Sequence, residues 1–117
     1  ALRDAAQDVA PMEARVLGFF ARHPGATAGE LAEHSGRDKG QLARLIGGLR
    51  ERGLLEATPD DADRRVVRLN LSAEGRALQQ ALARSTRRLA DAAVAGLSAE
   101  ERAALLGMMA RLRANLE

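Results

Sequence analysis

Two helix-start signals placed close together constrain this chain more than any other feature. In "TAGELAEHS", Thr27 and Glu30 have the T-x-x-E spacing of a capping box, in which each side chain can satisfy an orphan backbone N–H. Asp38 and Gln41 repeat that spacing, and "GRD" (36–38) leaves only a three-residue turn between the two helices. Leu31, Ala32 and Ser35 make the inward side of the first helix. The second, "KGQLARLIGGLRERG", sets Leu42, Leu45, Ile46 and Leu49 on one stripe and turns Lys39, Gly40, Gln41, Ala43, Arg44 and Gly48 away from it. Two short helices joined by a tight glycine-containing turn describe a helix-turn-helix. In that arrangement the second helix lies in the major groove of a duplex with its N-terminal residues at the base edges. Gln41 and Arg44 suit this placement, because glutamine bonds adenine in bidentate fashion, and arginine does so with guanine or reaches a phosphate.

The flanking segments fit the same plan. "PMEARVLGFFARHPG" opens on Pro11, which suits a first helical turn, and Met12, Val16, Phe19 and Phe20 recur on one face. His23-Pro24-Gly25 stops that helix. After the recognition segment come "GLLEAT" and "RRVVRLNL"; in the latter Val67, Leu69 and Leu71 alternate with Arg68 and Asn70 as in a half-buried strand. The two strands make a hairpin with "PDDADR" at its tip. A hairpin directly after a recognition helix is the wing of a winged helix-turn-helix.

From Ser72 the pattern is helical again. Leu78, Leu82, Ser85, Leu89, Ala92 and Gly96 recur at alternating spacings of four and three, a coiled-coil-like seam. Ser98 and Glu101 form another capping box, opening a last helix with Leu105, Met109, Leu112 and Leu116 at the same spacings. Two long helices with this much apolar surface predict a dimer interface. The expected fold class is mainly α with a small β-hairpin wing (α+β). A winged helix-turn-helix lobe covers residues 11–75, and dimerisation helices flank it at 1–10 and 76–117. The mid-helix pair Gly47-Gly48 costs about 1 kcal/mol per glycine relative to alanine. It reflects either close approach of another backbone or simple tolerance.

Composition limits the chemistry. The chain has 117 residues, enough for one domain with a modest core, and 46% hydrophobic and 29% charged residues fit a folded globular protein. No apolar run approaches the roughly 20 residues that span a bilayer. With no cysteine, disulfides, thiolate catalysis and thiol redox sensing are excluded; no charged-then-apolar leader opens the sequence, and a cytoplasmic protein is expected. The formal net charge is only +2, so what matters for an anionic partner is where the arginines gather. Aromatics are 2%, with no Trp or Tyr, which removes the stacking platforms used on single strands and favours a duplex. Ser72 and Ser98 are placed as caps, and neither a nucleophile elbow nor a phosphate-cradling glycine loop is present, so no enzyme and no cofactor are expected. Asp60, Asp61 and Asp63 lack the donors and the glycine of a calcium loop. His23 and His34 sit near helix ends without cysteine partners and read as structural or solvated.

In this order the motifs resemble the MarR family of bacterial winged-helix transcription regulators. The resemblance runs from "APMEARVLGFFARHPG" through the wing, with Asp63-Arg64-Arg65 and "LNLSAEG" similar to the family's D-R-R and L-x-L-T-x-x-G, and resumes at "GLSAEERAALLGMMARL". It implies a homodimer that binds double-stranded DNA as a repressor or activator and is often released by a small anionic or aromatic ligand. It further implies that Arg65, with Arg64 beside it, reaches into the minor groove while Asp63 orients it. The family's recognition helix corresponds to Asp38–Arg52. Candidate DNA-binding residues are therefore Arg37, Lys39, Gly40, Gln41, Ala43, Arg44, Asp63, Arg64 and Arg65. The chain departs from the family at Gly40, Gln41 and Ala43, where small hydroxyl residues are usual, and at Gly47 and Gly48, where charged ones are.

A bland reading of the wing is a solvated loop whose exposed ion pairs contribute ~0–1 kcal/mol. The preceding helix-turn-helix favours the functional one, because a narrow minor groove concentrates negative potential and attracts an inserted arginine. The rival from another class is a winged-helix protein-interaction module that has lost DNA recognition, favoured by the missing side chains at Gly40, Ala43, Gly47 and Gly48.

Overall fold

The computed structural model describes residues 10–117, which form five helices and a two-stranded antiparallel hairpin. The helices are α1 (Pro11–Arg22), α2 (Ala28–Ser35), α3 (Lys39–Glu51), α4 (Ala73–Ala93) and α5 (Ala99–Leu116); the strands are β1 (Leu55–Pro59) and β2 (Val67–Leu71). One compact unit ends at Ala83 and a second runs from Arg84 to Glu117. The expected dimerisation segment at 1–10 lies outside the described residues except for Ala10.

The caps explain where the helices of the first unit begin. Thr27 Oγ1 accepts the Glu30 N–H at 3.1 Å and Asp38 Oδ2 accepts the Gln41 N–H at 2.9 Å. Both expected boxes close on one side only: Glu30 Oε1 instead accepts the Thr27 hydroxyl at 3.3 Å, and α3 is capped by the Asp38 side chain alone. The Gln41 side chain is thus not spent on its own helix terminus. At the start of α1, Glu13 Oε1 accepts the Ala10 N–H at 3.1 Å, while its Oε2 accepts from Arg52 Nη1 at 3.1 Å just beyond α3.

The core of this unit collects Val16, Leu17, Phe19 and Phe20 from α1, Leu31 and Ala32 from α2, Leu42, Ile46 and Leu49 from α3, and Leu55, Leu69, Leu71 and Leu78 behind them. Leu17 is fully buried although it falls outside the apolar spacing read from the sequence. Leu45, expected in the buried stripe, is only partly buried against it.

The hairpin pairs Leu55 with Leu71 and Pro59 with Val67, so β1 runs into the proline that was expected at the tip. Val67 corrects the alternation: Leu69 and Leu71 point into the core, but Val67 is 45% exposed because this end of the ribbon reaches past the core. β2 has a second partner. Gly25 N–H donates to Leu69 O at 3.0 Å and Leu69 N–H to Ala26 O at 2.9 Å, so the turn between α1 and α2 forms a short third rung.

The "LNLSAEG" motif has a mechanical reading. Ser72 N–H donates to Leu54 O, Ser72 Oγ donates to Gly53 O at 2.6 Å, and the Gly75 N–H donates back to Ser72 Oγ at 2.9 Å. This locks the start of α4 against the start of the hairpin. Further along, Leu78 is buried and Leu82 partly so, whereas Leu89 is exposed. Gly96 does not continue the seam: it has φ +87° in the turn after α4 ends, a conformation that suits glycine. The second unit contains α5, which starts at a complete Ser98–Glu101 capping box and buries none of its residues. Leu106, Met108, Met109, Leu112 and Leu116 are all exposed, covering more of the helix circumference than the Leu105-Met109-Leu112-Leu116 line alone. Among the described residues, no helix is long and apolar enough to cross a membrane.

Candidate nucleic-acid interface

The first turn of α3 presents side chains outward because its apolar stripe is turned inward. Leu42, Ile46 and Leu49 are buried, and the intervening Lys39, Gly40, Gln41, Ala43 and Arg44 are exposed, as is Arg37 in the turn before them. The helix N-terminus leaves backbone N–H groups and a partial positive charge at the same end, which favours an anion nearby. Gly47 and Gly48 are half-exposed, and a Cβ built on either meets nothing within 4 Å, so no neighbouring backbone among the described residues explains them.

The wing tip is ordered by its carboxylates. Asp60 N–H donates to Val66 O, and Asp60 Oδ2 accepts the N–H groups of Ala62 and Asp63 at 3.0 Å each, an Asx turn that folds the loop back on itself. Asp63 in turn grips Arg65: Oδ1 accepts both the backbone N–H and Nε at 3.1 Å, and Oδ2 accepts Nη2 at 3.2 Å. The Arg65 side chain nevertheless remains 89% exposed. Arg64 is exposed beside it. Both carboxyls titrate below the ordinary aspartate value. For Asp60 the leading cause is the hydrogen bond from the Asp63 backbone N–H, followed by that from Arg68. For Asp63 it is the Arg65 guanidinium, followed by the Arg65 backbone N–H.

Three contributors escape a reading of the sequence alone. Arg68, assigned there only to the polar side of β2, donates from Nε to Asp60 Oδ1 at 3.1 Å and from Nη1 to Gly25 O at 3.3 Å, and its Nη1 lies 3.6 Å from Glu30 Oε1. Asp60 is the acceptor at the centre of the loop; the Pro59-Asp60 dipeptide is its only local signal. Glu13 ties α1 to the end of α3 through Arg52. His23 and His34 pack against Phe19 at tilted angles of 40° and 44°, with ring centroids 4.7 and 5.2 Å from it.

A cleft of about 220 Å³ opens between the end of α1, β2 and the first turns of α4. Phe20, Pro24, Asn70, Arg76, Gln79 and Gln80 line it. Arg76 Nη1 donates to Leu71 O at 3.2 Å, and Arg76 has no carboxylate partner among the described residues.

The sequence profile of the MarR family matches residues 7–66, just over half of the chain, from α1 through β1 and the wing tip and ending just before β2. The chain belongs to the MarR family. Among its relatives is the HTH-type transcriptional repressor NicR of Pseudomonas putida, 28% identical over 90 residues, or 77% of this chain and 57% of NicR. This MarR-family chain thus spans less than two thirds of the length of that relative. Its fold is shared with FabT of Streptococcus pneumoniae, solved in complex with DNA, at a TM-score of 0.84 and 23% identity over 93% of this chain and 76% of FabT. It is also similar to the PcaV transcriptional regulator of Streptomyces coelicolor, solved with its natural ligand, at a TM-score of 0.75 and 26% identity over 94% of this chain and 78% of PcaV.

Proposed function

We propose that this MarR-family protein is a transcriptional regulator that binds a pseudo-palindromic DNA duplex as a homodimer, reading bases with α3 and the flanking minor grooves with the wing. The observation that carries the reading is Arg65: a side chain almost wholly in solvent, yet held by the neighbouring Asp63 through two guanidinium donors and the Arg65 backbone N–H. A side chain ordered before binding loses less entropy when it enters a groove. Arg37, Lys39, Arg44 and Arg64 supply phosphate contacts, Gln41 contacts a base edge, and Gly40 and Ala43 let the helix backbone approach the duplex. The exposed leucines and methionines of α4 and α5 support a dimer, since a chain of this size gains stability by covering them with a second copy. Two α3 helices in successive major grooves would then lie about 34 Å apart.

The cleft beside Arg76 supports ligand control by a small anionic or aromatic compound, and with it a repressor released on binding. The DNA complex of FabT and the ligand complex of PcaV are the relatives' counterparts of these two readings. The absent side chains at Gly40, Gly47 and Gly48 favour a second reading, a winged-helix module that binds a protein. Salt separates the two. Duplex affinity should fall steeply and linearly in log–log form as counterions are released, whereas an interface rich in apolar area is nearly indifferent to salt. A duplex affinity unchanged between low and physiological salt overturns the proposal.

A further inference from the structure

We infer that Arg68 is the positioning residue of the wing, clamping the hairpin to the first turn of α2 so that Arg65 is presented at a fixed angle to the helix-turn-helix. The inference rests on the proposed role of Arg65 in the minor groove and adds to it the device that holds that residue in place.

The clamp is a continuous run of polar contacts across three parts of the fold. At its inner end Glu30, on the first turn of α2, accepts the Thr27 cap hydroxyl at 3.3 Å and lies 3.6 Å from Arg68 Nη1. Arg68 sits on β2 opposite Thr58; it also donates to the carbonyl of Gly25, in the turn that forms the third rung of the sheet. From its other edge, Nε donates to Asp60 Oδ1 at 3.1 Å. Asp60 Oδ2 then accepts the Asp63 N–H, and the Asp63 carboxylate grips Arg65. Each group in the run touches the next, so a continuous set of polar contacts joins α2 to Arg65.

The difference in exposure of the two arginines assigns their roles. The Arg68 side chain is 40% exposed, with Nε and Nη1 donating to Asp60 and to the Gly25 carbonyl; that of Arg65 is 89% exposed. Leu69 is the last position of the ribbon held by the core and by the backbone of residues 25–26; the end beyond it, from Val67 to Pro59, reaches past the core, and a two-stranded ribbon is only marginally stable alone, so that end depends on a side-chain tether. The tether needs arginine. A planar fork serves a carboxylate on one side and a carbonyl on the other at once, whereas lysine offers one point charge at the end of a flexible stem.

The test is a double-mutant cycle in the full chain, with Arg68→Gln, Arg65→Ala, the pair together and Arg68→Lys, measured on one selected duplex. Hydroxyl-radical footprints and amide exchange of the free protein accompany it. Arg68→Gln is expected to weaken binding about three- to tenfold, the scale of ordering a rotamer-rich side chain at an interface. It should erase the flanking minor-groove protection and leave the protection beneath α3. In the Arg65→Ala background the same change should cost less than about twofold, because positioning a residue that is gone has no value. Arg68→Lys should fail to restore affinity. Amides of Ala62, Asp63 and Arg65 should exchange faster in Arg68→Gln, with those of α3 unchanged.

An equal loss in both backgrounds makes Arg68 a direct phosphate contact and overturns the inference. So does unchanged exchange in the wing, or protection lost uniformly from both grooves. If Arg65→Ala itself leaves affinity intact, the minor-groove reading fails; the exchange arm still decides whether Arg68 holds the wing.

Discussion

Gly75 lies directly against the carbonyl oxygen of Leu54, leaving no room for a Cβ between the start of α4 and the start of the hairpin. The same carbonyl accepts the Ser72 N–H, so neither backbone can retreat without giving up that bond. Gly75→Ala is therefore expected to destabilise the fold by at least the roughly 1–3 kcal/mol typical of overpacking. Urea denaturation reads this directly. A variant as stable as the parent would show that the contact is slack.

Gly47 and Gly48 make the opposite case. An alanine methyl at either meets open space, and each substitution removes a conformational freedom that the helix otherwise has to freeze. Gly47→Ala and Gly48→Ala should each raise stability by about 0.5–1 kcal/mol. If α3 approaches a duplex closely, the same stabilised variants should bind DNA less well. A loss of stability in either would contradict the observed geometry.

Wing order depends on pH in a fixed direction. Asp60 and Asp63 have folded pKa values below the ordinary aspartate value of 3.8, held down first by the Asp63 N–H and by the Arg65 guanidinium respectively. A depressed folded pKa means a contribution that is complete above the unfolded value and is lost as pH falls through the folded one. The wing should therefore keep its order throughout the neutral range and lose it only below about pH 4. Carboxyl carbon shifts followed by NMR test this; a midpoint for either aspartate at or above 3.8 would contradict it.

Gln41 is free to read a base because its helix is capped from the Asp38 side only. Gln41→Ala should relax sequence preference at one position by about 1–3 kcal/mol of discrimination while leaving non-specific affinity nearly unchanged. A site-selection profile identical to the parent's would remove Gln41 from the readers.

The helix-turn-helix was legible in the sequence because its signals are local. Thr27, Asp38 and Ser98 cap the helix that begins beside each of them, and the stripe Leu42, Ile46 and Leu49 lies on one face of one element. The Asp63–Arg65 grip spans only two residues and is the contact that the resemblance to the family implied. What escaped was long-range. The rung between residues 25–26 and Leu69 carries no turn or periodicity signal, and the Arg68–Gly25 bond joins residues 43 apart in sequence. Alternation in "VVRLNL" could not show that the ribbon outruns the core at Val67, because alternation fixes a face and not whether anything lies behind it. Gly96 fitted a heptad spacing, but a glycine fits a helix terminus as well, and only its positive φ separates the two.

Selection of random duplexes by the purified full chain at physiological salt shows whether the protein reads DNA as a twofold assembly. A twofold regulator with α3 in the major groove and Arg65 in the minor groove should enrich an inverted repeat whose half-sites are centred one helical turn apart, about 10–10.5 base pairs, or a multiple of that, flanked by A·T-rich minor grooves. Recovery of duplexes with no shared sequence, or of none above background, would contradict it.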